Sequence, residues 1–240
     1  MAEAIILAAG LGLRMRPLTE ALPKPLIRVA GKCLIDYALD FTAAGGVGEA
    51  VVNISYKAEM MEAHLHGRTH PRVLLSREGQ PLETGGGIAQ ALPLLQAVPF
   101  FSLNSDVIVM SGAQHPFRRL RAAWDDARMD ALLLLHPVAQ AIGYGAPGDF
   151  FLNADGSVKR RRAGKEAPYV FCGVQLLHPR LFKHRPALSA FSLNTLYNGG
   201  AGDDGTLPRV HALVHDGAWL HVGDAEGIAQ AERALASMHD

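Results

Sequence analysis

The sequence predicts an α/β fold with a doubly wound, mainly parallel sheet and a small β-hairpin appendage. Short apolar runs of strand length alternate with segments in which apolar residues recur at helical spacing, as expected for a parallel sheet with helices on both faces. Glycine-rich or polar segments follow several of these runs. The chain has 240 residues, of which 49% are hydrophobic, and this length suits one domain spanning residues 1–240.

Five strands and three helices are predicted in the first part of the chain. The helix that begins at Leu34 ends before Gly45, a common helix terminator. Thr84 is a candidate N-cap for the third helix, and Gly85–Gly87 in its first turn cost helix stability relative to alanine. Close approach of a ligand would explain that cost. The predicted strands are 4–8, 50–55, 72–76, 98–106 and 130–138, and the predicted helices are 34–44, 57–67 and 84–95.

The second part of the chain, residues 139–240, has a different sequence pattern. Asp155 and Gly156 form a turn signal between short β-like runs, which predicts a hairpin. A strand is predicted at 169–178, a mobile polar loop at 198–208 and a closing helix at 225–237. No linker-like stretch separates this part from residues 1–138, so both are assigned to one Rossmann-like domain.

Composition excludes several classes of partner. Lys plus Arg number 23 and Asp plus Glu number 23, so the formal net charge is zero and neither nucleic acid nor a membrane surface is an expected partner. Cys33 and Cys172 lie far apart, which favours a reduced, cytoplasmic setting. No apolar run approaches the ~20 residues of a membrane span.

The segment LAAGLGLRMRPLTEALPKPL, residues 7–26, carries most of the chemical information. Gly10 and Gly12 follow the first predicted strand, but Met15 replaces the third glycine of a dinucleotide fingerprint, and the prolines prevent a long helix. What remains is an irregular loop with two glycines and three cations, Arg14, Arg16 and Lys24. Glycine lets backbone N–H groups approach phosphates, and the cations neutralise them, so the loop predicts phosphate binding.

This segment resembles the signature of the sugar-1-phosphate nucleotidyltransferases, which make nucleoside-diphosphate sugars. EGQPLETGGGIAQALPLL (78–95), FFSLNSDVI (100–108), YVFCGVQLLHPRLF (169–182) and AWLHVGD (218–224) extend the resemblance over nearly the whole chain. In its short length and its ETGGGI motif, the chain is most similar to the N-acetylmuramate-1-phosphate uridylyltransferases of bacterial cell-wall recycling. The resemblance implies a metal-dependent enzyme with a nucleotide-binding half (1–138) and a sugar- and metal-binding half (139–240).

The resemblance also implies a role for each matching residue on the nucleotide side. Arg14 would hold the pyrophosphate leaving group, and Lys24 would hold the α-phosphate or the sugar phosphate. The remaining implied contacts to the nucleotide come from the first loop, the base-reading segment and the end of the fourth strand: Ala8, Ala9, Gly10, Gly12, Glu83, Thr84, Gly85 and Asn104.

The implied metal is Mg²⁺, with Mn²⁺ as an alternative, and Asp106 is its first expected ligand. The family usually has an aspartate where this chain has His221. Imidazole is a poor ligand for Mg²⁺ and a better one for softer ions. Three arrangements therefore stay open: His221 binds the ion, Asp224 replaces it, or Asp106 and the phosphates suffice. Asp224 is also a candidate N-cap for the last helix.

On the sugar side, the resemblance points to Gly145, Asp149 and Gly173 as binding residues. A Glu-Lys-Pro element that the family often carries is replaced here by KRRRAGKEAP, residues 159–168. One cation between Arg160 and Lys165 would meet the sugar phosphate or a lactyl carboxylate, or else this run is a solvated hairpin face.

The expected substrates are UTP and N-acetylmuramate 1-phosphate. The alternatives are mannose 1-phosphate with GTP, glucose 1-phosphate with dTTP, a non-sugar acceptor such as phosphocholine, and a non-catalytic sensor of sugar nucleotides. The sequence leaves the oligomeric state open.

Overall fold

The computed structural model describes residues 2–183, 189–199 and 201–238. Its strands are β1 Ala4–Leu7, β2 Arg28–Val29, β3 Lys32–Cys33, β4 Glu49–Ile54, β5 Arg72–Arg77, β6 Phe100–Asn104, β7 Val107–Val109, β8 Ala131–Pro137, β9 Phe150–Leu152, β10 Ser157–Arg160, β11 Tyr169–Leu177, β12 Thr206–Val214 and β13 Trp219–His221. Its α-helices are α1 Leu18–Ala21, α2 Leu34–Ala44, α3 Ala58–Leu65, α4 Glu83–Ala91, α5 Pro116–Ala123, α6 Leu193–Asn198 and α7 Ala225–Ser237. Within these ranges no helix is long and apolar enough to cross a membrane.

A nine-stranded mixed sheet forms the centre of the fold, in the order β5-β4-β1-β6-β11-β8-β12-β10-β9. The first four strands of this order are parallel to one another, as the alternation of strands and helices predicted. Strand β11 runs antiparallel to both β6 and β8, so the half that follows it is mixed. The α/β class is therefore confirmed, and the sheet as a whole is mixed: the first four strands of the order and the pair β8–β12 are parallel, whereas β11 and β10 pair antiparallel with their neighbours.

Helices cover both faces of the sheet. Neighbouring residues of a strand point to opposite faces, so they pack into different cores. Ile6 of β1 packs into a core with the buried faces of α2, α3 and α5. Ile5 packs into a second core with α4 and α6. A smaller third cluster seats α7 on β2 and β13.

Three predicted elements differ from the structure. The hairpin β9–β10 turns at Gly156 as expected, but β10 also pairs with β12, so the hairpin extends the main sheet and is not a separate appendage. The strand predicted at 98–106 ends at Asn104, and the residues after it form β7, which pairs with β13 in a small second sheet. The predicted loop 198–208 begins in α6 and ends in β12, and Gly200 lies outside the described residues.

The glycine-rich start of α4 packs against protein, not against open space for a ligand. The Gly85 and Gly86 N–H groups both donate to the Phe191 carbonyl, at 2.9 and 3.1 Å. A Cβ on Gly85 would lie 2.9 Å from that oxygen and closer still to the Phe191 ring. The prediction that Thr84 caps this helix is wrong: Thr84 lies within the first turn, and its hydroxyl instead accepts a hydrogen bond from the Leu193 N–H at 2.9 Å. The absence of side chains here lets the segment before α6 dock on α4.

We expect Gly85→Ala to lower the free energy of unfolding by about 1–3 kcal/mol, the usual cost of overpacking. Helix propensity alone would act in the opposite direction, since alanine is favoured over glycine by about 1 kcal/mol. Gly48→Ala is the matched control, because a Cβ there meets nothing within 4 Å. Urea unfolding midpoints check the prediction, and a stabilised Gly85→Ala variant would contradict it.

Candidate active site

The carboxyl ends of β1, β4 and β6 meet at one edge of the sheet and form the floor of a cleft. Leu7 is in register with Asn53 of β4 on one side and with Asn104 of β6 on the other. The residues that follow these strands line a cleft of about 430 Å³, hereafter the central cleft. This is where ligands bind in open parallel sheets.

A buried hydrogen-bond network holds the first loop over this edge. Asn53 Oδ1 accepts from the Ala8 N–H at 2.7 Å, and Asn53 Nδ2 donates to Glu78 Oε1 at 2.7 Å. Glu78 Oε2 accepts from the Leu82 N–H at 2.9 Å. Burial raises the pKa of Glu78, although both hydrogen bonds oppose the rise. The network therefore ties the first loop, β4 and the segment before α4 together.

Asn53 and Glu78 are residues that sequence reasoning missed. Each is a polar residue at or just after the end of a strand, 50–55 and 72–76, that the sequence did predict. The rule that directs attention to the carboxyl ends of parallel strands applies to them as it does to Asp106. Ala8, assigned to nucleotide contact, uses its N–H within the protein.

Two of the three cations of the first loop, Arg14 and Lys24, line a depression beside the central cleft, whereas Arg16 is exposed and lines neither cavity. Gly12 has φ +63°, and a Cβ there would lie 2.8 Å from the Thr19 methyl group and 3.0 Å from Lys24 Cβ, so glycine is required for this close approach. Lys24 begins a short 3-10 turn, Lys24–Leu26, after Pro23. Lys24 and Arg14 both line a depression of about 240 Å³, hereafter the cationic depression.

Lys24 and Asp106 form an ion pair, with Nζ 2.8 Å from Oδ2. The position of Asp106 is fixed by the preceding residue, because the Ser105 hydroxyl donates to the Leu7 carbonyl at 2.8 Å. Burial alone would raise the pKa of Asp106, but the Lys24 ammonium, with smaller contributions from His221 and Arg14, holds it below its ordinary value. Asp106 is thus a carboxylate at neutral pH.

His221 is placed near Asp106 by the small sheet. Strand pairing brings His221 opposite Val107, and the Val222 N–H donates to the Asp106 carbonyl at 3.0 Å. The His221 Nδ1 lies 3.1 Å from the Gly143 carbonyl oxygen, which can only accept, so Nδ1 carries the proton. In the neutral form of the imidazole, Nε2 is then the nitrogen that offers a lone pair. A carboxylate and an imidazole nitrogen beside a cationic depression are a donor set that suits a divalent ion completed by phosphate oxygens.

Asp224 lies in a different environment. Its Oδ1 accepts from the Gly227 N–H at 2.8 Å, which confirms the predicted N-cap of the last helix. Asp224 and Gly145 line a separate depression of about 250 Å³. Between the two alternatives for a second metal ligand, the geometry therefore favours His221.

A pocket of about 200 Å³, hereafter the side pocket, adjoins the central cleft and shares Leu7, Thr84 and Asn104 with it. Asp149 lines this pocket, and its Oδ2 accepts from the Phe171 N–H at 3.0 Å. Gly173, with φ +77°, packs against Asn104.

Buried Gln175 and Tyr197 also line the side pocket, and the Tyr197 hydroxyl donates to Gln175 Oε1. These two were also missed, because no local pattern distinguishes them from core residues of β11 and α6.

The basic run 159–165 separates into distinct roles. Arg160 lines the side pocket. Arg161 instead donates to the carbonyls of Gly148 and Lys165, and Arg162 donates to the Asp203 carbonyl. Most of this run therefore stabilises the hairpin, and one cation faces the pocket.

At the other wall of the central cleft, Glu83 is exposed and has φ +59°. This left-handed conformation is uncommon for a residue with a side chain.

The chain was compared with known proteins. Residues 3–147 match the family described as Nucleotidyl transferase. N-acetylmuramate alpha-1-phosphate uridylyltransferase of Caulobacter vibrioides is 44% identical over 97% of this chain and 96% of the relative. The enzyme of that name from Neisseria meningitidis is 34% identical, over 96% of each chain. In fold, the chain is similar to HddC from Yersinia pseudotuberculosis complexed with GMP-PN, with a TM-score of 0.76, 20% identity, and coverage of 98% of this chain and 100% of that one.

The ion pair predicts a pH-dependent coupling between Lys24 and Asp106. In a double-mutant cycle of Lys24→Met and Asp106→Asn, we expect a coupling of about 1–2 kcal/mol in the free energy of unfolding at pH 7. Since the pKa of Asp106 is lowered from 3.8, this stabilisation is fully present above 3.8 and is lost as the pH falls through the folded-state value. Urea unfolding across acidic pH checks this, and a coupling that is pH-independent would contradict it.

Proposed function

The chain belongs to the nucleotidyl transferase family, and from that premise we propose that it joins UTP to N-acetylmuramate 1-phosphate with release of pyrophosphate. Enzymes of this family transfer a nucleotidyl group to a sugar 1-phosphate. The choice of these two substrates is supported by two relatives that match nearly the full chain and carry the name N-acetylmuramate alpha-1-phosphate uridylyltransferase.

The observation that carries the proposal is the continuity of three cavities. The cationic depression shares Gly10, Lys24 and Asp106, among others, with the central cleft. The central cleft in turn shares Leu7, Thr84 and Asn104 with the side pocket. A nucleotide in the central cleft would thus extend its phosphates toward Lys24 and Arg14, and a sugar in the side pocket would present its phosphate from the other side.

In the proposed reaction, an oxygen of the sugar phosphate attacks the α-phosphorus of the nucleoside triphosphate. The new P–O bond forms as the bond to the bridging oxygen breaks, and pyrophosphate leaves with that electron pair. Such a transfer depends on positioning and on neutralisation of charge. Lys24 would exchange its contact with Asp106 for a phosphate oxygen, and Arg14 would bind the leaving pyrophosphate.

The family depends on a divalent metal ion, and we assign its site to Asp106 and His221. The ion, when bound, would neutralise phosphate charge. We propose Mg²⁺ as the ion, with Mn²⁺ able to replace it. Gly10 and Gly12 of the first loop would then orient the phosphates toward the ion and toward Lys24.

Pyrophosphate release with UTP, GTP and dTTP, each paired with the 1-phosphates of N-acetylmuramate, mannose and glucose, tests this function. We expect the pair UTP and N-acetylmuramate 1-phosphate to give the highest kcat/KM. Lys24→Met should lower kcat by about 10²–10³, because a preorganised charge at the developing negative oxygens is lost. Lys57→Met, at a half-buried lysine before α3, is the matched control and should retain activity. No release with any pair, with UTP binding retained, would indicate a sensor instead.

The imidazole at position 221 predicts an altered preference among metal ions. Because carboxylate oxygen suits Mg²⁺ better than imidazole does, His221→Asp should lower the ratio of activity with Mn²⁺ to activity with Mg²⁺. His66→Asp, at an exposed position after α3, is the control for added charge. Steady-state rates at saturating UTP over a range of each ion measure the ratio. An unchanged ratio in His221→Asp would remove His221 from the metal site.

A further inference from the structure

We propose that Arg160 binds a carboxylate of the acceptor and so makes the side pocket selective for an acidic sugar phosphate. The inference rests on the proposed function and adds a specificity-determining residue to it. Arg160 is the last residue of β10, and its guanidinium lies in the side pocket with Asp149, Gln175 and Tyr197.

The guanidinium is held in place but its hydrogen-bonding capacity is not filled. Its Nη2 donates to Asn194 Oδ1 at 2.9 Å, and its Cζ lies 4.8 Å from the centre of the Phe150 ring. The buried Nε has no hydrogen-bond partner among the residues that the structure describes. Buried polar groups are nearly always satisfied, so the unpartnered Nε–H shows that the protein leaves the hydrogen bonding of this pocket-lining side chain incomplete.

Within the described part of the chain, Arg160 also forms no direct ion pair. In residues 2–183, 189–199 and 201–238, no carboxylate oxygen lies within the 4.0 Å ion-pair distance of its guanidinium, whereas Lys159 beside it pairs with Asp204. Asp149 is near enough to favour the charged form, but its Oδ2 accepts from the Phe171 N–H. A half-buried cation without a pair is costly unless a ligand supplies the anion.

The position of Arg160 argues for a carboxylate over a phosphate. The cationic depression, with Arg14 and Lys24, shares no lining residue with the side pocket. An acceptor with two separate anions matches this division, with its 1-phosphate at the depression and a second anion at Arg160. N-acetylmuramate 1-phosphate has this form, since its 3-O-lactyl ether carries a carboxylate. Arginine presents a planar fork of donors that suits carboxylate oxygens.

The experiment compares three acceptors that differ only in the substituent on O3 of the sugar, each with UTP: N-acetylmuramate 1-phosphate, its lactyl carboxamide analogue, and N-acetylglucosamine 1-phosphate, which lacks the lactyl ether. For the wild-type protein, we expect kcat/KM to fall about 10- to 150-fold from the carboxylate to the carboxamide, the range for a hydrogen bond to a charged group. This comparison needs no variant, so it does not depend on how a substitution affects folding.

Arg160→Gln should abolish most of that discrimination, so that the ratio of kcat/KM between carboxylate and carboxamide acceptors approaches one. Arg160→Lys, which keeps a charge but not the fork, should retain part of it. Arg162→Gln is the matched control, because the exposed side chain of this arginine, two residues after β10, donates to the Asp203 carbonyl and does not line the side pocket, so this variant should keep the wild-type ratio. UTP binding by calorimetry and thermal unfolding confirm that each variant is folded.

The outcomes separate this inference from the proposed function. If the wild-type protein uses N-acetylmuramate 1-phosphate but does not distinguish its carboxamide, or if Arg160→Gln lowers kcat/KM equally for all acceptors, Arg160 only stabilises the hairpin and the inference is overturned while the function stands. If the wild-type protein prefers a neutral sugar phosphate, both are overturned. Loss of discrimination in Arg160→Gln alone supports the inference.

Discussion

The side-chain amide of Asn53 connects the three segments on which the central cleft depends. Its oxygen holds the first loop through the Ala8 N–H, and its nitrogen holds Glu78, which in turn holds the Leu82 N–H before α4. The two bonds made by the Asn53 amide are buried, so a missing partner would leave a buried donor or acceptor unsatisfied. Gly87 belongs to the same constraint, because a Cβ there would lie 2.6 Å from both Asn53 Nδ2 and Glu78 Oε1.

The electrostatics of the site follow from this placement. The net charge of the chain is zero, yet Lys24 and Arg14 line one depression and Arg160 lines another pocket, which shares no lining residue with the first. The two sites differ in whether a carboxylate of the protein pairs with the cation. Lys24 forms an ion pair with Asp106, whereas the Arg160 guanidinium contacts an amide oxygen and an aromatic ring. A neutral protein can therefore bind two anions at separate places without attracting polyanions in general.

Sequence reasoning correctly predicted the features that depend on residues close together along the chain. The apolar runs predicted β1, β4 and β8 because buried parallel strands need continuous apolar residues. The N-cap at Asp224 followed from a short acceptor before a helical pattern. Thr84 fitted the same pattern and was assigned the same role, but its hydroxyl binds the Leu193 N–H from a segment more than a hundred residues away. The glycines after Thr84 fit Phe191 and Asn53 for a similar reason: their neighbours are distant in sequence.

The sequence by itself determined the α/β class and the family resemblance, and it predicted phosphate binding by residues 7–26, because each of these depends on residue types at fixed short spacing. Only the tertiary structure decided that His221, and not Asp224, lies toward Asp106, and that one arginine of the run 159–165 enters the side pocket. It also decided that the hairpin joins the main sheet through β12. These outcomes depend on strand pairing and on partners supplied by remote segments, and a periodic pattern along one segment contains no information about them.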